Sequence, residues 1–140
     1  MSPMRRGFTL LEMTIVLVLI GLVASLVVPR VLGRTTQARR ARAVADLQIL
    51  GQALEGYRLD AGEYPTTAQG LDALVRQPSL PPVPARWRPD GYLPRLPRDP
   101  WGRDYSYACR DGRHFTLRTL GADGEPGGDG EAADVDGDAP

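Results

Sequence analysis

The feature that most constrains this chain is a run of almost entirely apolar residues, FTLLEMTIVLVLIGLVASLVV, at positions 8–28. As an α-helix this run would extend about 31 Å, close to the hydrocarbon thickness of a bilayer. A secretory signal peptide is the alternative, but its apolar core is shorter and small residues follow it at a cleavage site. Here PRVLGR follows. The run is therefore predicted to be a membrane-spanning helix.

A carboxylate, Glu12, stands inside this run, close to its start. A charge at the bilayer centre costs about 2.5–3.5 kcal/mol and less near the edge, so Glu12 could simply reach water at the helix end. A path for ions is a second interpretation, but a single span offers no path by itself. A third is pairing: a cut after Gly7 would give Phe8 a positive α-amino group. That amine and Glu12 of an adjacent subunit could neutralise each other, because desolvation penalises either charge alone.

Helical periodicity continues beyond the apolar run into a more polar segment. One face carries apolar residues at spacings of four, three, four and three: Ala43, Leu47, Leu50, Leu54 and Tyr57. We predict one long helix from about Thr9 to Arg58, weakened or kinked near Pro29 and Gly33. Its first half is apolar all round, and its second half has one stripe to bury.

The middle of the chain predicts a short helix and then an irregular segment. TTAQGLDALV, positions 66–75, is typical of a helix with Thr66 as N-cap and Gln69 as its capping-box partner. Eight of the thirteen prolines fall between Pro78 and Pro100, which predicts an ordered loop. Trp101, in the DPWG sequence at the end of that loop, is expected to fill the core.

Two segments then alternate as strands do, YSYAC at 105–109 and HFTLRT at 114–119. Asp111-Gly112 between them is a hairpin signal. The two segments therefore predict an antiparallel pair.

The C-terminal end is acidic. All seventeen basic residues are arginines that precede Gly121, and seven acids follow with no base. This asymmetry indicates a cation, not a nucleic acid, as the partner of the end. A disordered acidic tail is the alternative. The pattern is neither an EF-hand nor a glycine-rich calcium repeat, and the single Cys109 excludes an internal disulfide.

The stretch RRGFTLLEM, positions 5–13, resembles the class III leader of type IV pilins and pseudopilins. In that family a membrane peptidase cuts after the glycine, here Gly7, and N-methylates the new first residue, here Phe8. The glutamate at the fifth mature position, here Glu12, serves assembly together with that amine.

Three further segments resemble the major, G-type pseudopilin of type II secretion systems: YRLDAGEYPTTAQGLDALV, YLPRLPRDPWGRDYSY and HFTLRTLGADGEPGGDGEAADV. The resemblance implies an α+β, type IV pilin-like fold. In this fold a long N-terminal helix packs on a small antiparallel sheet, and a calcium-binding loop follows the last strand. It implies a cleaved leader at 1–7, a transmembrane half-helix at 8–28 and a periplasmic domain at 29–140.

The resemblance also implies one structural calcium ion. Its side-chain ligands would be Asp123 and Asp134. The Leu120 carbonyl and one or two carbonyls within 127–130 would complete the shell, with Asp129 and Asp136 as secondary candidates.

The implied function is that of the major subunit of a pseudopilus, which polymerises in the periplasm to drive folded proteins through the outer membrane. The subunit would not be an enzyme. Its partners would be copies of itself, the prepilin peptidase, the inner-membrane assembly platform, minor pseudopilins and secreted proteins, with no nucleic acid. Before assembly it would cross the inner membrane once. A type IV pilus pilin and a membrane-anchored periplasmic enzyme are the alternatives.

Overall fold

The computed structural model describes the backbone of residues 9–137 and their side chains except those of 26–34. One long helix, α1 (Leu10–Ala61), is followed by a 3₁₀ helix (Leu71–Leu74) and three strands, β1 (Ser106–Cys109), β2 (Phe115–Thr119) and β3 (Val135–Asp136). The protein is therefore α+β, as predicted. The chain divides into two compact units, residues 1–37 and 38–140.

In the first unit, the start of α1 is capped. The Thr9 hydroxyl accepts a hydrogen bond from the backbone N–H of Glu12 at 3.2 Å, which satisfies one of the unpaired donors of the first turn. The large apolar side chains from Leu10 to Val23 are all exposed.

No helix in the described part of this chain is long and apolar enough to cross a membrane. The predicted membrane segment, 8–28, extends at both ends into residues whose side chains lie outside that part.

In the second unit, the predicted stripe of α1 is the centre of the core. Ala43, Leu50 and Leu54 are completely buried, and Leu47 and Tyr57 are nearly so. The same cluster takes in buried side chains from every other element of this unit, namely Leu74, Cys109, Phe115, Leu117 and Val135. The helical face inferred from spacing is thus confirmed. α1 extends slightly further than predicted, to Ala61.

The predicted hairpin is confirmed, with β1 and β2 antiparallel and Cys109 opposite Phe115. Asp111 fixes the turn, because its carboxylate accepts hydrogen bonds from the backbone N–H groups of Arg113 and His114. The His114 ring also contacts this carboxylate, and these bonds hold the pKa of Asp111 below its usual value.

The third strand was not predicted. β3 comes from the acidic end, where the sequence pattern indicated only loop, and pairs with β2 through Thr119 opposite Val135. Val135 is buried while its neighbour Asp136 is exposed. A strand of two residues carries no periodic signal, so only the edge of β2 reveals it.

The predicted helix at 66–75 is wrong in part. The capping box forms: the Gln69 N–H donates to the Thr66 hydroxyl, and the Thr66 N–H donates to the Gln69 side-chain oxygen. What it closes is a single turn, because Gly70 takes a positive φ of 61°. A 3₁₀ helix over Leu71–Leu74 follows instead of an α-helix.

The proline-rich segment is irregular, as predicted, and its end is fixed by a buried carboxylate. Asp99 is only 3% exposed. Its carboxylate accepts hydrogen bonds from the backbone N–H groups of Trp101 and Arg103, at 3.0 and 2.7 Å. It also accepts one from the Thr119 hydroxyl at 2.5 Å. Trp101 is partly buried against the core, as expected. Asp99 thereby joins this turn to the last residue of β2.

We expect Asp99→Ala to destabilise the protein by about 2–4 kcal/mol, because it leaves three donors without their acceptor, and one of them, the Thr119 hydroxyl, is fully buried. Asp104→Ala is the matched control, since that carboxylate is 88% exposed and its contact with Arg98 is long, at 3.7 Å. The control should change stability by about 0.5 kcal/mol or less. Urea unfolding of both variants measures the difference, and equal midpoints would contradict the role given to Asp99.

Candidate functional site

The N-terminal candidate site has one member within the described chain. Gly7 and Phe8 lie outside the described residues. Glu12 is exposed in the first turn of α1, where a negative charge is favourable beside the positive end of the helix dipole. The bond to Thr9 uses the backbone N–H of Glu12, and among residues 9–37 the structure shows no hydrogen bond or ion pair to its carboxylate. The side chain is thus available to a group from outside.

The second candidate site is the segment between β2 and β3, residues 120–134, which we call the acidic loop. It therefore precedes the last strand, where the resemblance implied a loop that follows it, because the chain returns to pair with β2 as β3. It is tied by its own backbone: the Ala122 N–H donates to the Glu131 carbonyl at 2.9 Å, and the Asp134 N–H to the Gly127 carbonyl at 3.1 Å. The part of the loop that follows Leu120 is called the outgoing limb, and the part that precedes Val135 is called the returning limb. These bonds join the two limbs. The alternative of a disordered acidic tail therefore does not hold for the described residues.

The two limbs approach each other at Gly121. Its φ is +62°, and a Cβ placed there would lie 2.5 Å from the carbonyl oxygen of Ala132. No side chain fits in that space, so a glycine is required where the limbs meet. The close approach places the carbonyl oxygens of Ala132 and Ala133 against Gly121.

Asp134 is the predicted ligand that the structure supports best. Its side chain is only 16% exposed. One carboxylate oxygen, Oδ2, accepts the Gly127 N–H at 3.1 Å, and Arg118 lies 4.0 Å from it. The other, Oδ1, is buried with no hydrogen-bond donor. An unsatisfied buried oxygen is unfavourable by about 1–3 kcal/mol, more for a charged group, so Oδ1 is suited to a cation.

The other predicted ligands are placed less directly. The Asp123 side chain is exposed and accepts the Glu125 N–H at 3.1 Å with one oxygen. The Leu120 carbonyl accepts the Gly124 N–H, also at 3.1 Å. Asp129 is exposed within the loop, and Asp136 is exposed on β3. The structure thus places Asp123 and Asp134 in one loop, on opposite limbs.

The donor set fits a hard cation in part. Over the described residues, no three His, Cys, Asp or Glu side chains come close enough together to hold a metal. A site here must combine Asp134, and at most one further carboxylate, with backbone carbonyls and water. Such an all-oxygen set is what Ca²⁺ accepts.

Two arginines at this site were not singled out from the sequence. Arg40, on α1, donates from one nitrogen to the carbonyls of Gly130 and Ala133 at 2.9 and 3.0 Å. Arg103 donates to the carbonyls of Gly121 and Ala122 at 2.6 and 3.0 Å. Their partners are 18 to 93 positions away in the sequence, and no local pattern distinguishes these two among the seventeen arginines.

Two family models match the chain. A model for type II secretion system protein G matches residues 30–138. A model for the prokaryotic N-terminal methylation motif matches residues 2–28. The first covers more than half of the chain, and the second coincides with the predicted leader and the apolar run.

Similar proteins agree with these matches. A type II secretion system core protein G of Vibrio cholerae serotype O1 is 49% identical over 96% of this chain and 94% of its own length. One of Pseudomonas aeruginosa is 46% identical over 92% of each.

A solved structure is similar as well. The crystal structure of the major pseudopilin from the type 2 secretion system of enterohaemorrhagic Escherichia coli superposes with a TM-score of 0.66. The two chains are 40% identical, and the match covers 79% of this chain and 95% of that one. The type IV pilin-like fold implied by the resemblance is thereby confirmed.

The comparisons also separate the alternatives. A pilus pilin is not favoured, since the matches are to secretion proteins, and the prediction that the chain is not an enzyme is confirmed. The chain belongs to the type II secretion system protein G family.

Proposed function

We propose that this chain is the major structural subunit of a type II secretion pseudopilus, which polymerises in the periplasm to drive export of folded proteins across the outer membrane. The observation that carries the proposal is the order of the two family matches on one chain. A methylation motif over 2–28 leads directly into a secretion domain over 30–138. The named relatives match over nearly their whole length.

The proposed assembly step uses Glu12 and the amine of a neighbouring subunit. Cleavage after Gly7 exposes the α-amino group of Phe8, which is then methylated and carries a positive charge. The exposed Glu12 carboxylate, with no partner among residues 9–37, supplies the opposite charge. In an apolar environment both charges are strongly penalised alone, so pairing favours one stagger of adjacent subunits over all others.

The apolar side chains of the first unit support a membrane and filament role. The large ones from Leu10 to Val23 are all at least 43% exposed. A continuous exposed apolar surface of this kind marks a membrane or protein interface. We place the subunit in the inner membrane as a single span before assembly, with residues 29–140 in the periplasm.

The partners follow from this placement. They are other copies of this chain, the prepilin peptidase, the inner-membrane assembly platform, minor pseudopilins and secreted proteins. No nucleic acid is involved.

We also propose that the acidic loop holds one structural calcium ion. Asp134 supplies the buried Oδ1 that has no donor, and Asp123 supplies a second carboxylate from the other limb. The Leu120 carbonyl and a carbonyl within 127–130 are the backbone ligands, and Asp129 and Asp136 are secondary candidates. The ion would join the two limbs and keep β3 against β2, a task that a disulfide cannot perform in a chain with one buried cysteine.

The assembly proposal predicts that Glu12→Ala and Glu12→Gln subunits are still cleaved after Gly7 but form no filaments, because the Phe8 amine loses its partner. The mass of the mature N-terminus and electron microscopy of overexpressed filaments measure the two steps. Thr9→Ala is the matched control, since it removes the hydroxyl that caps α1 and leaves the carboxylate in place. Normal filaments from Glu12→Gln would refute the charge pairing.

The calcium proposal predicts that calcium raises the melting temperature of the natural protein and not that of Asp134→Asn. A ligand at a hundred times its Kd stabilises by about 2.7 kcal/mol, or several degrees for a domain of this size. Asp123→Ala should lose most of the rise. Thermal melts with calcium and with chelator test this.

The Asp134→Asn variant also distinguishes the alternative, a loop that binds no cation. If no cation binds, the neutral amide is less costly to bury than the carboxylate, and Asp134→Asn should melt at the same temperature or higher. Equal melting of the natural protein in calcium and in chelator would exclude the metal site.

A further inference from the structure

We propose that Arg40 and Arg103 are positioning residues that hold the two limbs of the acidic loop in their folded course before any metal binds. Only the last step, in which calcium meets a loop that is already formed, rests on the proposed calcium site. The hydrogen bonds that carry the proposal are made by this chain alone.

Arg103 holds the outgoing limb. Its two terminal nitrogens, Nη1 and Nη2, each donate to one carbonyl, those of Gly121 and Ala122, at 2.6 and 3.0 Å. The side chain can be aimed there because the backbone of Arg103 is fixed on both sides by Asp99. The Arg103 N–H donates to the Asp99 carboxylate, and its carbonyl accepts the Asp99 N–H at 2.9 Å.

Arg40 holds the returning limb. Its Nη1 donates to the carbonyls of Gly130 and Ala133, which are three residues apart and stand just before β3. Arg40 lies only three residues before Ala43, which is completely buried in the core. The guanidinium is thus carried by the rigid part of α1, while the carbonyls belong to a segment with no core side chain of its own before Val135.

Hydrogen bonds from a charged donor are roughly twice as strong as neutral ones. They also place positive charge beside an acidic segment. Between Asp123 and Asp134 the loop has five acids and no base of its own, so its carboxylates repel one another, and of the five Glu131 and Asp134 have arginine partners outside the loop. Two guanidiniums bound to its carbonyls reduce that repulsion and satisfy four carbonyls at once. The loop is therefore expected to keep its backbone bonds without calcium.

The role assigned here differs from that of a metal ligand. Neither arginine can bind a cation, and neither contacts the Asp134 carboxylate in the structure. By keeping the limbs together they leave Asp134 Oδ1 in place, so less of the binding energy of calcium goes into ordering the loop. A loss of Arg40 should weaken calcium binding and loosen the loop even in chelator.

The test is amide hydrogen exchange on the full chain in detergent micelles, with chelator and with calcium. The probes are loop amides that donate in the structure, those of Ala122, Ala132 and Asp134. In chelator we expect protection in the natural protein and exchange about ten to a hundred times faster in Arg40→Ala and Arg103→Ala.

Arg39→Ala is the matched control. It removes the same charge from the adjacent position, but the contact that the structure describes for Arg39 is to the Glu131 side chain and not to the loop backbone, in an ion pair whose side chains are 49% and 36% exposed. Its loop amides should exchange within about twofold of the natural rate. If Arg40→Ala does not fold, Arg40→Lys against Arg39→Lys makes the same comparison, since lysine keeps the charge without the planar guanidinium.

The outcomes separate the two proposals. Equal exchange in Arg40→Ala and Arg39→Ala overturns the positioning role. Loop amides that are protected in the natural protein only when calcium is present also overturn it, and leave the calcium proposal intact. Faster exchange in Arg40→Ala with no effect of calcium on any variant supports the positioning role of the arginines and rejects the calcium site.

Discussion

The burial of one stripe of α1, from Ala43 to Tyr57, is the interaction on which the rest of the second unit depends. The sheet it covers has strands of four, five and two residues, which is too little to be stable alone. Each strand contributes a buried side chain to the cluster around this stripe, Cys109, Phe115 or Leu117, and Val135. Removing the stripe would leave three short strands without a common surface.

The acidic loop depends on this core indirectly, through charges held by rigid neighbours. Asp99 is buried beside the end of β2 and fixes the backbone of Arg103, which in turn holds the outgoing limb. Arg40 projects from α1 to the returning limb. A segment with almost no apolar residues is thereby ordered by hydrogen bonds to elements that are ordered by apolar burial.

Much of the fold could be predicted, because it depends on patterns of residues that are close together in the sequence. The spacing of Leu47, Leu50 and Leu54 predicts the buried helix face, and Asp111-Gly112 predicts the hairpin. The capping box of Thr66 and Gln69 was also correct, although it closes one turn and not an α-helix, since Gly70 takes a left-handed conformation. A local signal identifies the start of an element better than its length.

The calcium site stays a prediction, and the sequence indicated its residue types but not the residues that support the loop. Acidic side chains with glycines indicate an oxygen site, and Asp134 does present an unpaired buried oxygen. β3, Asp99 and Arg40 gave no comparable signal. A two-residue strand has no period, a buried aspartate looks like any turn residue, and one helix arginine looks like its neighbours.

By itself, then, the sequence determined the long helix, its buried face, the hairpin, the N-terminal methylation motif that contains Glu12 and the acidic character of the end. These depend on residues within a few positions of one another, where spacing translates directly into geometry. Only the tertiary structure decided that the acidic end closes as a loop and returns as β3. That outcome rests on contacts up to 93 positions apart, between Arg40 and Ala133, which no local pattern encodes.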